Sequence, residues 1–264
     1  MKIAILSDIH ANAFAMRETL AMAETKGFDR LIILGDLLTY GCSPREVISL
    51  VGDAVARHGA HIVAGNHDQL YFDLAAGRTQ YYSALPAWLR ESVDWTMNAI
   101  AGIELENLFD WKRDIAVAGA YFSHANTYPY GDWRYLNSAD DFVAAREALR
   151  NDIHIGVFGH THRAKVARFV GRDPPRCVLL DTSGNQGEKL RFTHGDAPIL
   201  ATVGSVGQPR SADKSSSMMF LTIDDQGFEI DMENIFYNIG EHCRAILESN
   251  ISEQTKQKLV SYFR

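Results

Sequence analysis

The sequence has few cysteines and no long hydrophobic run, and both features narrow the class of protein. Its 264 residues include three cysteines at widely separated positions, which is typical of neither a disulfide framework nor a cysteine-type zinc site. No apolar stretch approaches the length that crosses a membrane. The residues before Asp8 are too few for the apolar core of a signal peptide. We therefore expect a cytoplasmic protein with no membrane partner.

Basic residues are in the minority, which limits the partners that the surface can hold. Lys and Arg total 26 against 33 Asp and Glu, so the net charge is -7. Proteins that hold extended nucleic acid rely on Lys and Arg contacts to phosphates. We therefore expect no extended nucleic-acid partner, although a small phosphorylated substrate held by metal ions stays compatible with the charge. A hydrophobic content of 46% is ordinary for a globular domain.

Apolar runs that end in ligand-type side chains recur along the first 162 residues. Residues 2–7, 30–34 and 61–64 predict strands that alternate with helices, as in a parallel α/β sheet. Residues 120–123 and 153–158 predict two further strands. Loops at the carboxyl ends of parallel strands gather the chemistry of such sheets. The polar residues that follow these five strands are Asp8, His10, Asp36, Asn66, His67, His124, His160 and His162.

The other segments predict helices in the middle of the chain and mostly strands towards its end. Tryptophans and apolar residues at helical spacing over residues 69–108 predict two or more helices, inserted as a cap over the site. Gly, Ser, Pro and charged residues over 205–217 predict a flexible surface loop. Strands are predicted at 115–117, 164–170, 176–180, 199–203, 218–223 and 228–235, and helices at 14–26, 44–58, 138–150 and within 240–264.

Oxygen and imidazole ligands without thiolate suit manganese, iron, zinc or cobalt. In an extended segment, Asp8-x-His10 and His160-x-His162 place both side chains on one side, so each pair can reach one metal. A single histidine is as well explained by a hydrogen bond in a loop or core. That explanation is preferred for His58, His61, His154, His194 and His242.

In order and spacing, these motifs resemble those of the calcineurin-like metallophosphoesterase superfamily. The resemblance implies an α/β (α+β) fold of two facing mixed β-sheets flanked by helices, a four-layer αββα sandwich. One domain would span residues 1–264, with the helical insertion at about 69–108. Residues 205–210 also resemble a loop of a prokaryotic branch of small phosphodiesterases and phosphatases. The five motifs are Asp8-x-His10, Gly35-Asp36, Gly65-Asn66-His67-Asp68, His124 and Gly159-His160-x-His162.

The resemblance also implies a role for each residue. Asp8, His10 and His162 would bind one metal ion. Asn66, His124 and His160 would bind a second, and Asp36 would bridge both. Manganese is the first expectation for the two ions, with iron, zinc, cobalt or nickel as alternatives, and a bridging hydroxide would attack phosphorus in line. His67 would be catalytic, protonating or stabilising the leaving oxygen.

Departures from the protein phosphatases of this superfamily favour small substrates. Thr39-Tyr40 stands where those enzymes carry Asp-Arg, and Asp68 stands where they usually carry Glu. We expect hydrolysis of phosphodiester or phosphomonoester bonds of small molecules, nucleotides first. The alternative is a hydrolase of pyrophosphate links, in dinucleoside polyphosphates or nucleotide-linked lipid precursors, while the complete ligand set disfavours a non-catalytic scaffold. The candidate substrate contacts are Arg210, Arg163, Asn126 and Tyr128.

Overall fold

Two β-sheets face each other in the computed structural model, which describes residues 1–171, 176–182 and 189–264. The first sheet contains β1 (Lys2–Leu6), β2 (Arg30–Ile33), β3 (His61–Val63), β4 (Trp111–Lys112), β10 (Lys189–Thr193), β12 (Ser216–Asp224) and β13 (Gly227–Ile235). The second contains β5 (Asp114–Val117), β6 (Ala120–Ser123), β7 (Ile155–Phe158), β8 (Ala164–Val170), β9 (Arg176–Asp181) and β11 (Ile199–Val203). Their strand orders are β10-β13-β12-β1-β2-β3-β4 and β5-β6-β7-β11-β8-β9.

Each sheet combines a parallel centre with antiparallel strands. Strands β1, β2 and β3 run parallel, as do β6, β7 and β11 in the other sheet. Strands β12 and β8 join these parallel groups in the antiparallel sense. Each parallel group therefore directs the loops at its carboxyl ends to one edge of its sheet.

Helices cover the outer faces of both sheets. They are α1 (Ala13–Lys26), α2 (Pro44–His58), α3 (Asn66–Ala75), α4 (Gln80–Ala84), α5 (Ala87–Ala99), α6 (Leu105–Leu108), α7 (Ala139–Glu147), α8 (Ile239–Glu248) and α9 (Glu253–Val260), followed by a 3-10 turn (Ser261–Phe263). Within the described ranges, no helix is both long and apolar enough to cross a membrane.

Strand β1 shows how each sheet is covered on both faces, by helices on one side and by the facing sheet on the other. Ala4 and Leu6 pack with the helices, whereas Ile3 and Ile5 pack between the sheets, because successive side chains of a strand point to opposite faces. A strand covered on both faces is apolar along its covered part, as β1 is after Lys2. On the far side, Phe142 of α7 packs against the second sheet. The predicted four-layer αββα fold is confirmed.

Three features of the chain differ from the expectations from sequence. Strands β4 and β10 were not expected, since β4 has two residues and β10 is a half-exposed edge strand of mixed polarity. The flexible surface loop predicted at 205–217 is wrong for most of its length. Ser205, Val206 and Gln208 are buried, and Val206 N–H donates to the Ser7 carbonyl oxygen at 2.9 Å. Its surface part is residues 211–214, which are half-buried to exposed.

Candidate metal centre

Loops from both sheets meet at one buried site. The loops after β1 and β2 are joined by the backbone N–H of Asp8, which donates to the Gly35 carbonyl oxygen at 3.0 Å. Across the sheets, His160 N–H donates to the Asp8 carboxylate at 2.9 Å. Gly159 N–H donates to the His124 carbonyl oxygen at 2.8 Å. The structure therefore brings together all seven residues predicted as metal ligands, each at most 5% exposed.

The backbone at five of these seven residues is left-handed rather than extended. The φ angles are 55° at Asp8, 48° at His10, 53° at Asp36, 63° at His160 and 57° at His162. Such angles are uncommon for residues other than glycine, and each costs on the order of 1–3 kcal/mol. The sequence argument that both motifs lie in extended segments is therefore wrong. The side chains converge because hydrogen bonds join the loops that carry them.

One group of ligand atoms comprises Asp8, His10 and His162. His10 Nε2 lies 3.1 Å from His162 Nε2, and His162 Nε2 lies 3.3 Å from Asp8 Oδ1. His10 Nε2 is 3.8 Å from the same carboxylate oxygen. Three potential ligands thus surround a space of the size of one cation.

A second group comprises Asp36, His124 and His160, with Asn66 beside it. Asp36 Oδ2 lies 3.4 Å from His124 Nε2, and Asn66 Oδ1 lies 3.1 Å from the same nitrogen. Ligand atoms of Asp36, His124 and His160 all lie within 4.8 Å of one another. Asp36 Oδ2 is also 3.8 Å from His10 Nε2 in the first group. The Asp36 carboxylate therefore lies between the two groups.

Backbone carbonyls determine which nitrogen of each histidine is free. His10, His124 and His162 place Nδ1 at 2.6–3.0 Å from a carbonyl oxygen, and His160 places Nε2 at 2.9 Å from another. A carbonyl oxygen only accepts hydrogen bonds, so the nitrogen facing it carries the proton. The opposite nitrogen keeps its lone pair for a cation, which is the usual arrangement of metal-binding histidines.

Several hydrogen-bond acceptor atoms face one another in the site, which shows that these ligand atoms fit cations. With Nδ1 protonated in both rings, the lone pairs of His10 Nε2 and His162 Nε2 point at each other across 3.1 Å. Asn66 Nδ2 donates to Tyr81 Oη at 3.1 Å, which turns Asn66 Oδ1 towards His124 Nε2. Buried acceptors that face each other are unfavourable unless a cation or proton lies between them. These oxygen and imidazole ligand atoms are of the kinds that suit manganese, iron, zinc and cobalt.

Burial and mutual charge shift the ionisation of the same groups. Burial lowers the pKa values of His10 and His160 to about 3, and burial raises the pKa of Asp8 to about 7. Burial also disfavours a charged His124, but the adjacent Asp36 carboxylate outweighs it and raises the pKa of His124 to about 9. Without metal at neutral pH, a proton on His124 therefore neutralises part of the Asp36 charge.

We expect metal binding to weaken as the pH falls, in two steps. A metal ion binds the deprotonated ligand, so below pH 9 it competes with the proton on His124, and below pH 7 also with that on Asp8. The dissociation constant for Mn²⁺ should rise about tenfold per pH unit between pH 9 and 7, and more steeply below. Calorimetric titration in buffers of different ionisation enthalpy measures both the affinity and the released protons. An affinity that stays constant from pH 9 to 6 would contradict this assignment.

His67 lies at the edge of the two groups. Its Nδ1 is 3.1 Å from Thr39 Oγ1, which is 2.7 Å from Tyr71 Oη, and its Nε2 is 3.3 Å from Tyr40 Oη. Its backbone N–H donates to Asp36 Oδ1 at 2.8 Å. Burial lowers the pKa of His67. Thr39 and Tyr40, noted in the sequence only as departures from the protein phosphatases, are therefore direct partners of His67.

Asp68 holds two of the ligand loops together, a role that the sequence did not reveal. Its carboxylate accepts hydrogen bonds from the backbone N–H groups of Gly65 at 2.8 Å, Asp36 at 2.7 Å and Leu37 at 3.0 Å. Burial raises the pKa of Asp68 to about 7. Its place directly after His67 in the third motif is the one signal in the sequence. A longer Glu side chain would not fit the same three donors without moving them.

The structure places the four candidate substrate contacts in different surroundings. Arg210 lies beside the centre, where its charge contributes to lowering the pKa of His162, and its buried Nε has no partner among the described residues. Arg163 is exposed and donates through Nη1 to the Arg210 carbonyl oxygen at 3.1 Å. Asn126 uses both amide hydrogens on backbone carbonyls of its own loop. The Tyr128 ring lies 3.9 Å from the Arg134 guanidinium. Arg210 is the candidate that the geometry favours.

Comparison with protein families identifies the class of protein to which this fold and centre belong. A model described as the calcineurin-like phosphoesterase superfamily domain matches residues 1–226. The chain belongs to this superfamily of metal-dependent hydrolases that act on phosphoesters. The resemblance inferred from the five motifs is therefore confirmed.

Individual relatives extend over almost the whole chain. A protein of Methanocaldococcus jannaschii, described as uncharacterised, is 27% identical over 261 residues, which cover 97% of this chain and 96% of the relative. The crystal structure of a metallophosphoesterase from Sphaerobacter thermophilus is similar, with a TM-score of 0.76, 23% identity and coverage of 99% and 100%. A hypothetical protein from Pyrococcus horikoshii has a TM-score of 0.74, 15% identity and coverage of 98% and 97%. At these identities, the two structures show a shared fold.

Proposed function

We propose that the protein hydrolyses phosphodiester or phosphomonoester bonds of small molecules, with nucleotides as the preferred class. Asp8, His10 and His162 would hold one metal ion, Asn66, His124 and His160 would hold the second, and Asp36 would be shared by both. The observation that carries this proposal is the position of Asp36 Oδ2, 3.4 Å from His124 Nε2 and 3.8 Å from His10 Nε2. A dinuclear centre requires a carboxylate that can reach both metal ions. This oxygen lies between the ligand nitrogens of the two groups.

The chemistry divides between the metals and the side chains around them. Two bound cations lower the pKa of water and offset the negative charge of the phosphoryl oxygens. Arg210 holds an outward phosphoryl oxygen by charge-assisted hydrogen bonds. His67 Nε2 meets the leaving oxygen, while the Thr39 hydroxyl at Nδ1 keeps the ring in place.

Aromatic side chains around the centre support nucleotides as the substrate class. The Tyr135 ring stacks on His160 with centroids 4.1 Å apart, and Tyr40 packs edge-on against His10 at 4.7 Å. Tyr81 reaches the centre through its hydrogen bond with Asn66. Aromatic faces next to a phosphate site suit the stacking of a base.

An activity screen with Mn²⁺ tests the proposal. Phosphomonoesters, phosphodiesters and dinucleoside polyphosphates are assayed with wild-type protein, with protein treated with EDTA, and with Mn²⁺ added back. We expect metal-dependent hydrolysis of monoesters or diesters. Cleavage of dinucleoside polyphosphates alone would favour the pyrophosphate-link alternative. No cleavage of any phosphoester by metal-loaded protein would refute the proposed function.

We further propose manganese as the native metal and the cytoplasm as the location. Carboxylate, amide and imidazole ligands without thiolate favour manganese over softer ions. Cys42, Cys177 and Cys243 are free thiols, as expected in a reducing compartment. Metal analysis of protein purified without added metal tests the first point, and detection in cell fractions tests the second.

Removing the Arg210 guanidinium is expected to weaken substrate binding and leave metal binding intact. The Arg210 charge acts on His162 and His67, so the guanidinium lies close enough to the centre to meet a phosphoryl oxygen. Loss of charge-assisted hydrogen bonds in Arg210→Ala should raise KM about 10- to 100-fold. Steady-state kinetics with a diester and a monoester, together with metal analysis, measure this effect.

Arg163→Ala is the matched control. This side chain is exposed and meets Arg210 only at its carbonyl oxygen, so KM should change by less than about threefold. If KM is unaltered in both variants, substrate specificity does not depend on this loop. It would then lie elsewhere, with the helices over residues 69–108 as the first place to search.

A further inference from the structure

The C-terminal segment, defined as residues 236–264, lies beyond the part of the chain that the family model matches. It docks on α5 through specific polar contacts. The Glu91 carboxylate accepts hydrogen bonds from the backbone N–H and the hydroxyl of Ser252, both at 2.6 Å. Trp95 Nε1 donates to Asn250 Oδ1 at 2.5 Å. These contacts hold α9 and the turn after it in a defined place.

This docking brings Tyr262 next to two other aromatic rings, Tyr40 and Trp88. We refer to the three rings as the aromatic triad. Ring centroids lie 6.2 Å apart for Tyr40 and Trp88, 6.4 Å for Tyr40 and Tyr262, and 6.5 Å for Trp88 and Tyr262. The rings come from the loop after β2, from α5 and from the C-terminal segment. The triad therefore exists only when the C-terminal segment is docked.

The ammonium group of Lys258 lies over two rings of the aromatic triad. Lys258 Nζ is 4.9 Å from the Tyr262 ring centroid and 5.7 Å from that of Trp88. A Lys ammonium at this distance from an aromatic face is attracted to it. The ammonium also remains a hydrogen-bond donor for a ligand that stacks on the rings.

The aromatic triad touches the catalytic groups at one end. Tyr40 Oη is 3.3 Å from His67 Nε2, and the Tyr40 ring lies 5.1 Å from the His67 ring and 4.7 Å from the His10 ring. All three rings of the triad keep part of their surface in solvent. A planar ligand can therefore reach this part of the triad.

We propose that the aromatic triad and Lys258 bind the planar base of a substrate whose phosphate lies at the metal centre. This inference rests on the proposed function, and it assigns substrate specificity to the C-terminal segment. The base stacks on the exposed face of the triad, and Lys258 donates a hydrogen bond to an acceptor atom on the base. Stacking on an aromatic side chain tolerates different bases, so the site recognises a nucleobase rather than one particular base.

Kinetics with substrate pairs that differ by the base test this inference. AMP is compared with ribose 5-phosphate for a phosphatase. The 4-nitrophenyl ester of thymidine 5′-phosphate is compared with methyl 4-nitrophenyl phosphate for a diesterase. Tyr262→Ala should raise KM about 10- to 100-fold for the member with a base and leave that of the other member unchanged. Tyr262→Phe keeps the ring and should stay within about threefold of wild type, because stacking needs only the ring face.

A second readout does not depend on catalysis. Calorimetry with adenosine, which has a base and no phosphate, should show binding to metal-free wild-type protein and weaker binding to Tyr262→Ala. Leu247→Ala changes an exposed apolar residue of the same segment and should behave as wild type. Equal melting temperatures for all variants exclude loss of the fold as the cause of a change.

The outcomes separate this inference from the proposed function. Hydrolysis by wild type with equal KM for both members of a pair, and no change in Tyr262→Ala, would overturn the triad as a base site and leave the function standing. Adenosine binding that depends on Tyr262, without hydrolysis of any phosphoester, would keep the base site and overturn the function.

Discussion

Replacement of Asp36 by asparagine is expected to reduce the metal content from two ions per chain to one or fewer, and with it the activity. Asp36 Oδ1 accepts the His67 N–H at 2.8 Å, which an amide oxygen can also do. The amide nitrogen would then replace Oδ2 between His10 Nε2 and His124 Nε2, where it cannot act as a ligand. Loss of a bridging carboxylate should lower kcat/KM by at least about 10²-fold.

Two further variants make this result interpretable. Asn tolerates the left-handed backbone found at Asp36, so Asp36→Asn should still fold in the absence of metal, which thermal unfolding checks. His124→Ala should lose the second ion preferentially, since its nitrogen lies in one group only. Asp225→Asn, at an exposed turn, should keep both ions and full activity. The ligand assignment is wrong if Asp36→Asn and His124→Ala both retain two ions and normal rates.

His67→Ala is expected to keep both metal ions and to lose about 10²- to 10⁴-fold in kcat, the range for positioned proton transfer. His67 contributes its backbone N–H to Asp36, and alanine retains that bond. The ring forms its hydrogen bonds with Thr39 and Tyr40, and it packs edge-on against the ring of His10 with centroids 5.3 Å apart. Metal analysis and steady-state kinetics, performed on the same preparation, measure the two effects separately.

A comparison of leaving groups shows whether the His67 ring donates a proton. If the ring donates a proton, the loss should be smaller for a nitrophenyl ester, whose leaving oxygen is already a weak base, than for an alkyl ester. An equal loss for both esters would argue against proton donation and leave only stabilisation by a hydrogen bond. Thr39→Val removes the hydroxyl at His67 Nδ1 and should lower kcat by a smaller factor of about fivefold, because a neutral hydrogen bond contributes about 1 kcal/mol.

Local pattern was enough to predict most of the strands and helices, whereas the two facing sheets were implied by the family resemblance. Residues 3–6 of β1 are apolar at every position because both faces of the strand are covered, and this prediction needs no knowledge of the partners. The same holds for the helices predicted over residues 69–108, whose apolar residues recur at helical spacing. Strand β10 was missed because an edge strand with one exposed face carries little hydrophobic signal.

The candidate ligands could also be read from the sequence, because each follows a strand and belongs to an ordered set of motifs. What the sequence determined by itself was therefore the residue types and the strand ends where they lie. Tertiary structure alone decided that loops from two different sheets meet, that five of the seven ligand residues are left-handed, and that residues 205–209 lie buried against them. These features depend on hydrogen bonds between residues far apart in the chain, such as Gly207 N–H to the Asp8 carbonyl oxygen at 2.9 Å, which local spacing does not encode.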